Sequence, residues 1–377
     1  MKIAFDAKRV FHNFTGLGNY GRTLIESLTT HYPEHEYVLY TPAYDDPRGE
    51  QWLDSVKKMR VEMPECILGR MFPSAWRSFF LTNVLEKDPP DIYHGLSHEL
   101  PAGIHRTPIK TVVTIHDLIF LRYPEQFSRI DRSIYKRKIN YSCSVSQKIV
   151  AICEQTKNDL MEFLNIREDK IDVIYQSCDP IFYEMKTREE RDRIRKKYFL
   201  PTKYILFVGS FTERKNLLNL VRGLFHSQRT NDVPLVLVGR GKDYRNRIYD
   251  LAKKLGVHTK LIFLENVPLN ELPAIYQNAT VFIYPSLFEG FGIPIIEAFF
   301  SGVPVITSTG SCFKETGGPA AIYVDPNQPE QIGEAMVRVV ENESLQQNLI
   351  EKGRDWVNKF HSSNTAKNMM EFYKTLT

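Results

Sequence analysis

No apolar run in this 377-residue chain approaches the roughly 20 residues that span a bilayer, which excludes an integral membrane protein. Paired cysteines are missing too. Cys66, Cys143, Cys153, Cys178 and Cys312 are scattered, with no C-x-x-C and no histidine at zinc spacing, so they read as reduced packing residues. Charge of one sign is also scarce: a formal net charge of +4, without a long Lys/Arg run at either end, excludes a general nucleic-acid binder. The opening MKIAFDAKRV reads as a strand and lacks the apolar core and small-residue cleavage site of a secretion signal, so a cytoplasmic location is expected. With 42% hydrophobic and 25% charged residues, no stretch is biased enough to stay unfolded.

What the chain does have is alternation. At 377 residues it exceeds the size at which a single core stops growing, so two domains are expected. Short runs rich in β-branched residues alternate with helix-length amphipathic segments, the pattern of a parallel sheet covered on both faces. One series of strands is expected at Lys2–Asp6, Tyr37–Thr41, Ile92–His94, Lys110–His116, Lys148–Ile152 and Ile171–Ile174. A second is expected at Tyr204–Gly209, Leu235–Gly239, Leu261–Leu264, Val281–Pro285, Val303–Thr307 and Ala321–Val324. Between them, in Tyr175–Pro201, the densely charged Thr187–Lys197 reads as a solvated helix, and the domain boundary falls there. Such α/β sheets bind ligands at the carboxyl ends of their strands, which directs attention to the loops after Asp6, His116, Gly209, Gly239, Leu264 and Pro285.

The most informative segment is Pro285–Ala298, PSLFEGFGIPIIEA. Two glycines flank Phe291 and Pro294 suits the first turn of a helix, so backbone N–H groups and the positive end of the helix dipole are offered to a phosphate. Glu297, expected in the first turn, could accept paired sugar hydroxyls, and Glu289 could accept from a second sugar. Alternatively, Glu297 merely complements the dipole and Gly290 and Gly292 make ordinary turns. In Tyr204–Asn216, YILFVGSFTERKN, Arg214 and Lys215 could neutralise a departing diphosphate, or form a solvated basic pair. In Asn13–Gly21, Gly16 and Gly18 could bring backbone close to a phosphate or sugar. This is no dinucleotide fingerprint, because no acidic residue closes a second strand about 20 residues after Gly21. His116 and Asp117 end the run TVVTIHD, where a polar pair is placed for function, although a lone histidine is more often structural.

Together, EGFGIPIIE, IHD at Ile115–Asp117, VGSFTERKN at Val208–Asn216, VGRG at Val238–Gly241 and the glycine loop at Gly16–Gly18 resemble the retaining glycosyltransferases of family 4 over nearly the whole chain. The resemblance implies the GT-B fold, two doubly wound Rossmann-like domains with parallel sheets facing across a cleft. Residues 1–177, completed by a C-terminal helix over 360–377, would form the acceptor side, and 178–359 would bind the nucleotide sugar. It further implies that Glu297 binds the ribose and Glu289 the donor sugar. The amides of Phe291, Gly292 and Ile293 would hold sugar hydroxyls and phosphate, and Lys215 with Arg214 the diphosphate. His116 would touch the sugar near the reacting carbon, the main chain around Val267 would contact the base, and Gly16 and Gly18 would line the diphosphate. Many relatives carry Arg directly after the glycine equivalent to Gly209; here Ser210 stands there, leaving Arg214 as the substitute, and Gly209 and Ser210 are counted with the donor set. The usual Asn-Gly at the junction is Gln176-Ser177, and the usual Ser before Glu154 is Cys153.

No D-x-D occurs, so the carboxylate pair that anchors a metal-bound nucleotide sugar in the other common transferase architecture is missing. Neither a metal nor a cofactor beyond the donor is expected; Arg, Lys and a helix dipole would stabilise the leaving diphosphate. Similarity to bacterial mannosyltransferases of surface-polysaccharide assembly points to mannose, carried by GDP, with a saccharide or lipid-linked acceptor. The loop Gly69–Asn83 carries no legible acceptor code, and oligomeric state is not written in the pattern. Two other readings stand beside this one: a glycoside hydrolase using the Glu289 and Glu297 carboxylates, and a non-catalytic nucleotide-sugar binder. Finally, Phe127–Tyr141 interleaves Arg129, Arg132, Lys136, Arg137 and Lys138 with Phe127, Ile130, Ile134, Tyr135 and Ile139. This pattern fits peripheral contact with a membrane, and more simply an exposed helix packed through its apolar stripe.

Overall fold

The computed structural model describes residues 1–56, 59–64, 71–227 and 232–377; Cys66 and residues 69–70 lie outside them, and Pro73–Asn83, read from the sequence as part of a loop, is helical. The chain forms two compact units, Met1–Cys178 with Phe360–Thr377, and Asp179–Lys359.

The first unit is built on a seven-stranded parallel sheet of β1 (Lys2–Asp6), β2 (Glu36–Tyr40), β3 (Met59–Glu62), β4 (Ile92–Gly95), β5 (Lys110–Ile115), β6 (Lys148–Ala151) and β7 (Ile171–Val173). Its order is β3-β2-β1-β4-β5-β6-β7, so the chain winds outward in both directions from the β1–β4 pair. Ile3, Ala4 and Phe5 are fully buried, as expected of a central strand covered on both faces. The edge strand β3 escapes the sequence reading because Met59-Arg60-Val61-Glu62 holds one β-branched residue between two charges. It is nevertheless in register with β2, from Tyr37 opposite Met59 to Tyr40 opposite Glu62. The C-terminal helix Ser362–Lys374 packs against helix Gly16–His31 and returns the chain end to this unit.

The second unit carries β8 (Ile205–Val208), β9 (Leu235–Val238), β10 (Leu261–Leu264), β11 (Val281–Tyr284), β12 (Val305–Ser308) and β13 (Ala321–Val324) in a six-stranded parallel sheet of order β10-β9-β8-β11-β12-β13. β12 begins after Pro304, which has no N–H to give the ladder; its carbonyl instead accepts from Phe282 N at 2.9 Å. The charged helix Arg188–Lys197 carries a capping box between Thr187 and Glu190. It is not wholly solvated: Ile194 is buried, and Lys197 pairs with Glu271 at 2.7 Å. In each sheet the winding direction reverses at one strand pair, β1–β4 and β8–β11, and beyond the carboxyl ends of such pairs a crevice opens.

Candidate active site

The loops after β8 and β11 flank the reversal point of the second sheet. After β8, Gly209 N donates to Val238 O at 2.9 Å and Ser210 is exposed. A single 3-10 turn, Glu213–Lys215, follows and ends on Asn216 with φ +60, before helix Leu217–Ser227. Asn216 Nδ2 donates to Pro285 O at 3.1 Å and Pro326 O at 2.6 Å, while Leu287 N donates to Arg214 O at 2.9 Å. These bonds tie the basic turn to the loop after β11. The pair is therefore aimed inward, not solvated.

Lys215 Nζ lies 2.6 Å from Glu289 Oε1 and Arg214 Nη1 2.7 Å from Glu289 Oε2, so both cations converge on one carboxylate. Lys215 also donates to the Tyr284 hydroxyl, and Arg214 to Phe288 O. Burial alone would raise the Glu289 carboxyl, but Lys215 and then Arg214 outweigh it and hold it down to about 2. Burial draws the Lys215 ammonium below its ordinary value, with Glu289 opposing that shift. A buried Lys215 and a partly buried Arg214 set two basic groups against one carboxylate, an arrangement that suits an incoming anion.

The loop after β11 ends at Gly292, whose φ of +96 is left-handed and open to glycine at little strain; a Cβ there would press Ile295 Cδ1 at 3.2 Å. Helix Ile293–Phe300 begins immediately, with Pro294 in its first turn. The amides at its start, together with Phe291 and Gly292, face the end of a helix whose dipole favours anions. Phe291 itself is buried, and its carbonyl accepts from Cys312 Sγ at 3.0 Å. Ser311 fastens the same loop, its hydroxyl accepting from Glu289 N at 3.2 Å and donating to Glu289 O at 3.0 Å.

Glu297 is not in the first turn, as its spacing from the glycines had indicated, because the helix starts at Ile293 and leaves it one turn in. Its Oε2 accepts from the Tyr276 hydroxyl at 2.8 Å. Burial pushes its carboxyl up to about 7, with the Tyr276 bond opposing and Asp179 adding to the rise. Two glutamates eight residues apart thus sit in opposite electrostatic settings. Val267, half-buried after β10, follows Asn266 at φ +58, whose side chain accepts from Arg240 of the loop after β9.

The remaining predicted residues belong to the first unit. Gly16 and Gly18 do not form a loop: a short helix, Lys8–His12, follows β1, and Gly16 opens helix Gly16–His31. Asn13 Oδ1 organises that start by accepting from Thr15 N at 2.9 Å and Gly18 N at 3.3 Å. Gly16 is exposed with open space around it, whereas a Cβ on Gly18 would sit 1.6 Å from Asn13 O, so only glycine fits there. His116 is buried, and its Nε2 lies 2.9 Å from Leu96 O. A carbonyl only accepts, so Nε2 carries the proton and Nδ1 is left as an acceptor. Burial, with His98 beside it, pushes His116 down to about 3, so it is neutral at ordinary pH. Cys153 Sγ accepts from Thr156 N at 3.3 Å and caps helix Glu154–Leu164, the job a serine would do.

Sequence reasoning found the cations and the carboxylates but missed Tyr276, Tyr284, Ser311 and Cys312, which hold them. Tyr284 ends a strand already recognised, a signal that was available. Tyr276 and Ser311 reach the site from segments with no motif.

Two parallel α/β sheets, each wound outward from a central pair, make the GT-B fold, and the family matches make the chain a glycosyltransferase. Residues 14–181 match the model for Glycosyltransferase Family 4 and residues 190–356 that for Glycosyl transferases group 1, and the chain belongs to these glycosyltransferases. It is a transferase, and the hydrolase and sensor readings fall with that assignment. Similar chains include O-antigen chain mannosyltransferase B of Escherichia coli, 24% identical over 393 residues covering 100% of both chains. O-antigen chain mannosyltransferase RfbU of Salmonella typhimurium is 28% identical over 225 residues, 59% of each chain. Among solved structures, Anabaena Alr3699/HepE in complex with UDP-glucose has the same fold, with a TM-score of 0.78 at 16% identity over 100% of both chains. Among the described residues no helix is long and apolar enough to cross a membrane.

Proposed function

We propose that this chain transfers a hexose, mannose in the first instance, from a nucleotide diphosphate sugar to a saccharide or lipid-linked acceptor during polysaccharide assembly, with retention of configuration and without a metal. The observation that carries the reading is the convergence of Arg214 and Lys215 on Glu289 beside the amides that open helix Ile293–Phe300. A diphosphate placed there meets amide donors, a helix dipole and a net positive charge, the groups that stabilise a leaving anion. The bond from the sugar's anomeric carbon to the diphosphate oxygen breaks, the acceptor oxygen bonds to that carbon on the same face, and the acceptor's proton passes to the departing oxygen. Glu297 accepts the ribose hydroxyls, Glu289 positions the sugar, the backbone at Val267 meets the base, and Gly209 and Ser210 line the donor. Gly16, Gly18 and the Nδ1 of His116 act from the first unit. Mannose rests on the two O-antigen mannosyltransferases to which the chain is similar.

The test is incubation of the purified chain with GDP-mannose, UDP-glucose or ADP-glucose, with cell-envelope glycolipid as acceptor and EDTA throughout. Mannose transfer from GDP-mannose giving an α-linkage is expected. Turnover that appears only when magnesium or manganese is restored would end the metal-free account, and a β-linked product the retaining one.

A further inference from the structure

Helix Arg129–Val145 turns only its C-terminal half into the core. Ile139, Ser142 and Cys143 are buried, whereas Ile130 is 73% exposed and Ile134 is also exposed. At about 3.6 residues per turn, Ile130, Ile134 and Arg137 lie on the side opposite Ile139 and Cys143. Ser128 Oγ accepts from Asp131 N at 3.1 Å and caps the helix, which stabilises its exposed first turn. Between 129 and 138 stand Arg129, Arg132, Lys136, Arg137 and Lys138 against one acidic residue, Asp131. Arg129, Lys136 and Arg137 form no ion pair among the described residues.

A second exposed apolar group lies on a neighbouring element. Phe79 and Phe80, in the helical segment Trp76–Phe80, are 67% and 56% exposed, and Met71 and Phe72 are exposed just before it. The segment 99–103 fastens the two elements together. Ala102 N donates to Ser78 O at 2.7 Å, while the Tyr141 hydroxyl accepts from Gly103 N at 2.8 Å and donates to Pro101 O at 3.3 Å. Lys138 reaches Glu99 at 3.2 Å, and Arg77 pairs with the same carboxylate. Exposed aromatic side chains and a cationic helix are therefore carried on two elements tied to each other within the first unit.

From this juxtaposition we infer that the first unit docks on an anionic lipid surface through Phe79, Phe80, Ile130 and Ile134, with Arg129, Lys136 and Arg137 facing the headgroups. Apolar side chains protruding singly among cations suit the boundary between headgroups and acyl chains, which takes aromatics shallowly and attracts Lys and Arg. A second copy fits poorly, because a two-fold contact would set the cationic helix against itself. The inference goes beyond the transfer reaction and does not use the donor site.

Co-sedimentation of the full chain with vesicles tests it, comparing pure phosphatidylcholine with phosphatidylcholine mixed with phosphatidylglycerol, at low and physiological salt. The chain is expected to sediment with the mixed vesicles alone, less so as salt rises. Phe79→Ser/Phe80→Ser should lower the partition coefficient about tenfold or more, from lost insertion. Lys136→Glu/Arg137→Glu should lower it at least as much, about tenfold or more, and flatten the salt dependence. Unchanged thermal melting by circular dichroism in the charge-reversal pair shows that a loss is not unfolding. Equal sedimentation with and without phosphatidylglycerol, or unchanged binding in both variants, overturns the inference. So does concentration-dependent dimerisation, without vesicle binding, that the same substitutions abolish; it would assign the surface to a second copy.

Discussion

The loops beyond the strand ends treat charge differently in the two units. In the first, His94 and His116 are buried and His98 is half-buried, and all three are neutral, burial being the largest cause at each. His94 spends both ring nitrogens internally, Nε2 at 2.7 Å from Thr114 Oγ1 and Nδ1 at 2.6 Å from the Tyr373 hydroxyl. In the second unit, Arg214 and Lys215 are instead gathered around Glu289, at 2.7 and 2.6 Å. Removing charges from water costs several kcal/mol per ion, and good geometry repays it only in part. The second arrangement is therefore the one to which the proposed binding of an anion is assigned.

That contrast can be broken at several points. The largest effect is expected from Lys215→Ala, which should lower kcat by about a hundredfold or more, as removal of a preorganised donor to a developing oxyanion does. Steady-state kinetics with donor saturating would read it. Next, Glu289→Ala leaves two cations without their carboxylate and should destabilise the second unit by about 3–5 kcal/mol, read as a fall in the urea midpoint at unchanged slope. Glu289→Gln, which keeps the shape, should lose less.

A third prediction uses pH. Because Glu297 is raised to about 7, it is protonated below that value and ionised above it. Its capacity to accept two hydroxyls therefore grows as pH climbs from 6 to 8. Donor affinity should rise about tenfold across this range in the native chain and stay flat in Glu297→Gln, by calorimetric titration. His116, held near 3, should contribute no inflection in that window, and His116→Asn should leave the midpoint in place. The smallest effect is expected from Tyr276→Phe. Losing a bond that holds Glu297 down, it should shift the midpoint upward and lower stability by about 1 kcal/mol.

Much of this was legible in the sequence because it follows from local periodicity. Twelve strands announce themselves as short β-branched runs, whereas Met59–Glu62 does not, since an edge strand owes its place to pairing with β2 and not to burial. The glycine loop and the Arg-Lys pair were visible as types. Their meeting was not: Glu289 and Lys215 lie 74 positions apart, brought together by the β8–β11 neighbourhood and the Asn216 tether. Likewise no periodicity says that a first-turn assignment for Glu297 is off by one turn, because the helix start depends on the left-handed Gly292. The glycines at 16 and 18 looked like a loop because glycine is rare in helices; the packing of Gly18 against Asn13 O reverses that expectation.

The central claim is that two cations and a helix start hold a diphosphate with no divalent ion. Calorimetric titration of GDP and of UDP into the native chain and Lys215→Ala, in EDTA, tests it most directly. The account predicts saturable binding of one of them to the native chain and at least a tenfold weaker constant in the variant. Binding that requires magnesium, or that is equal in the two proteins, would contradict it.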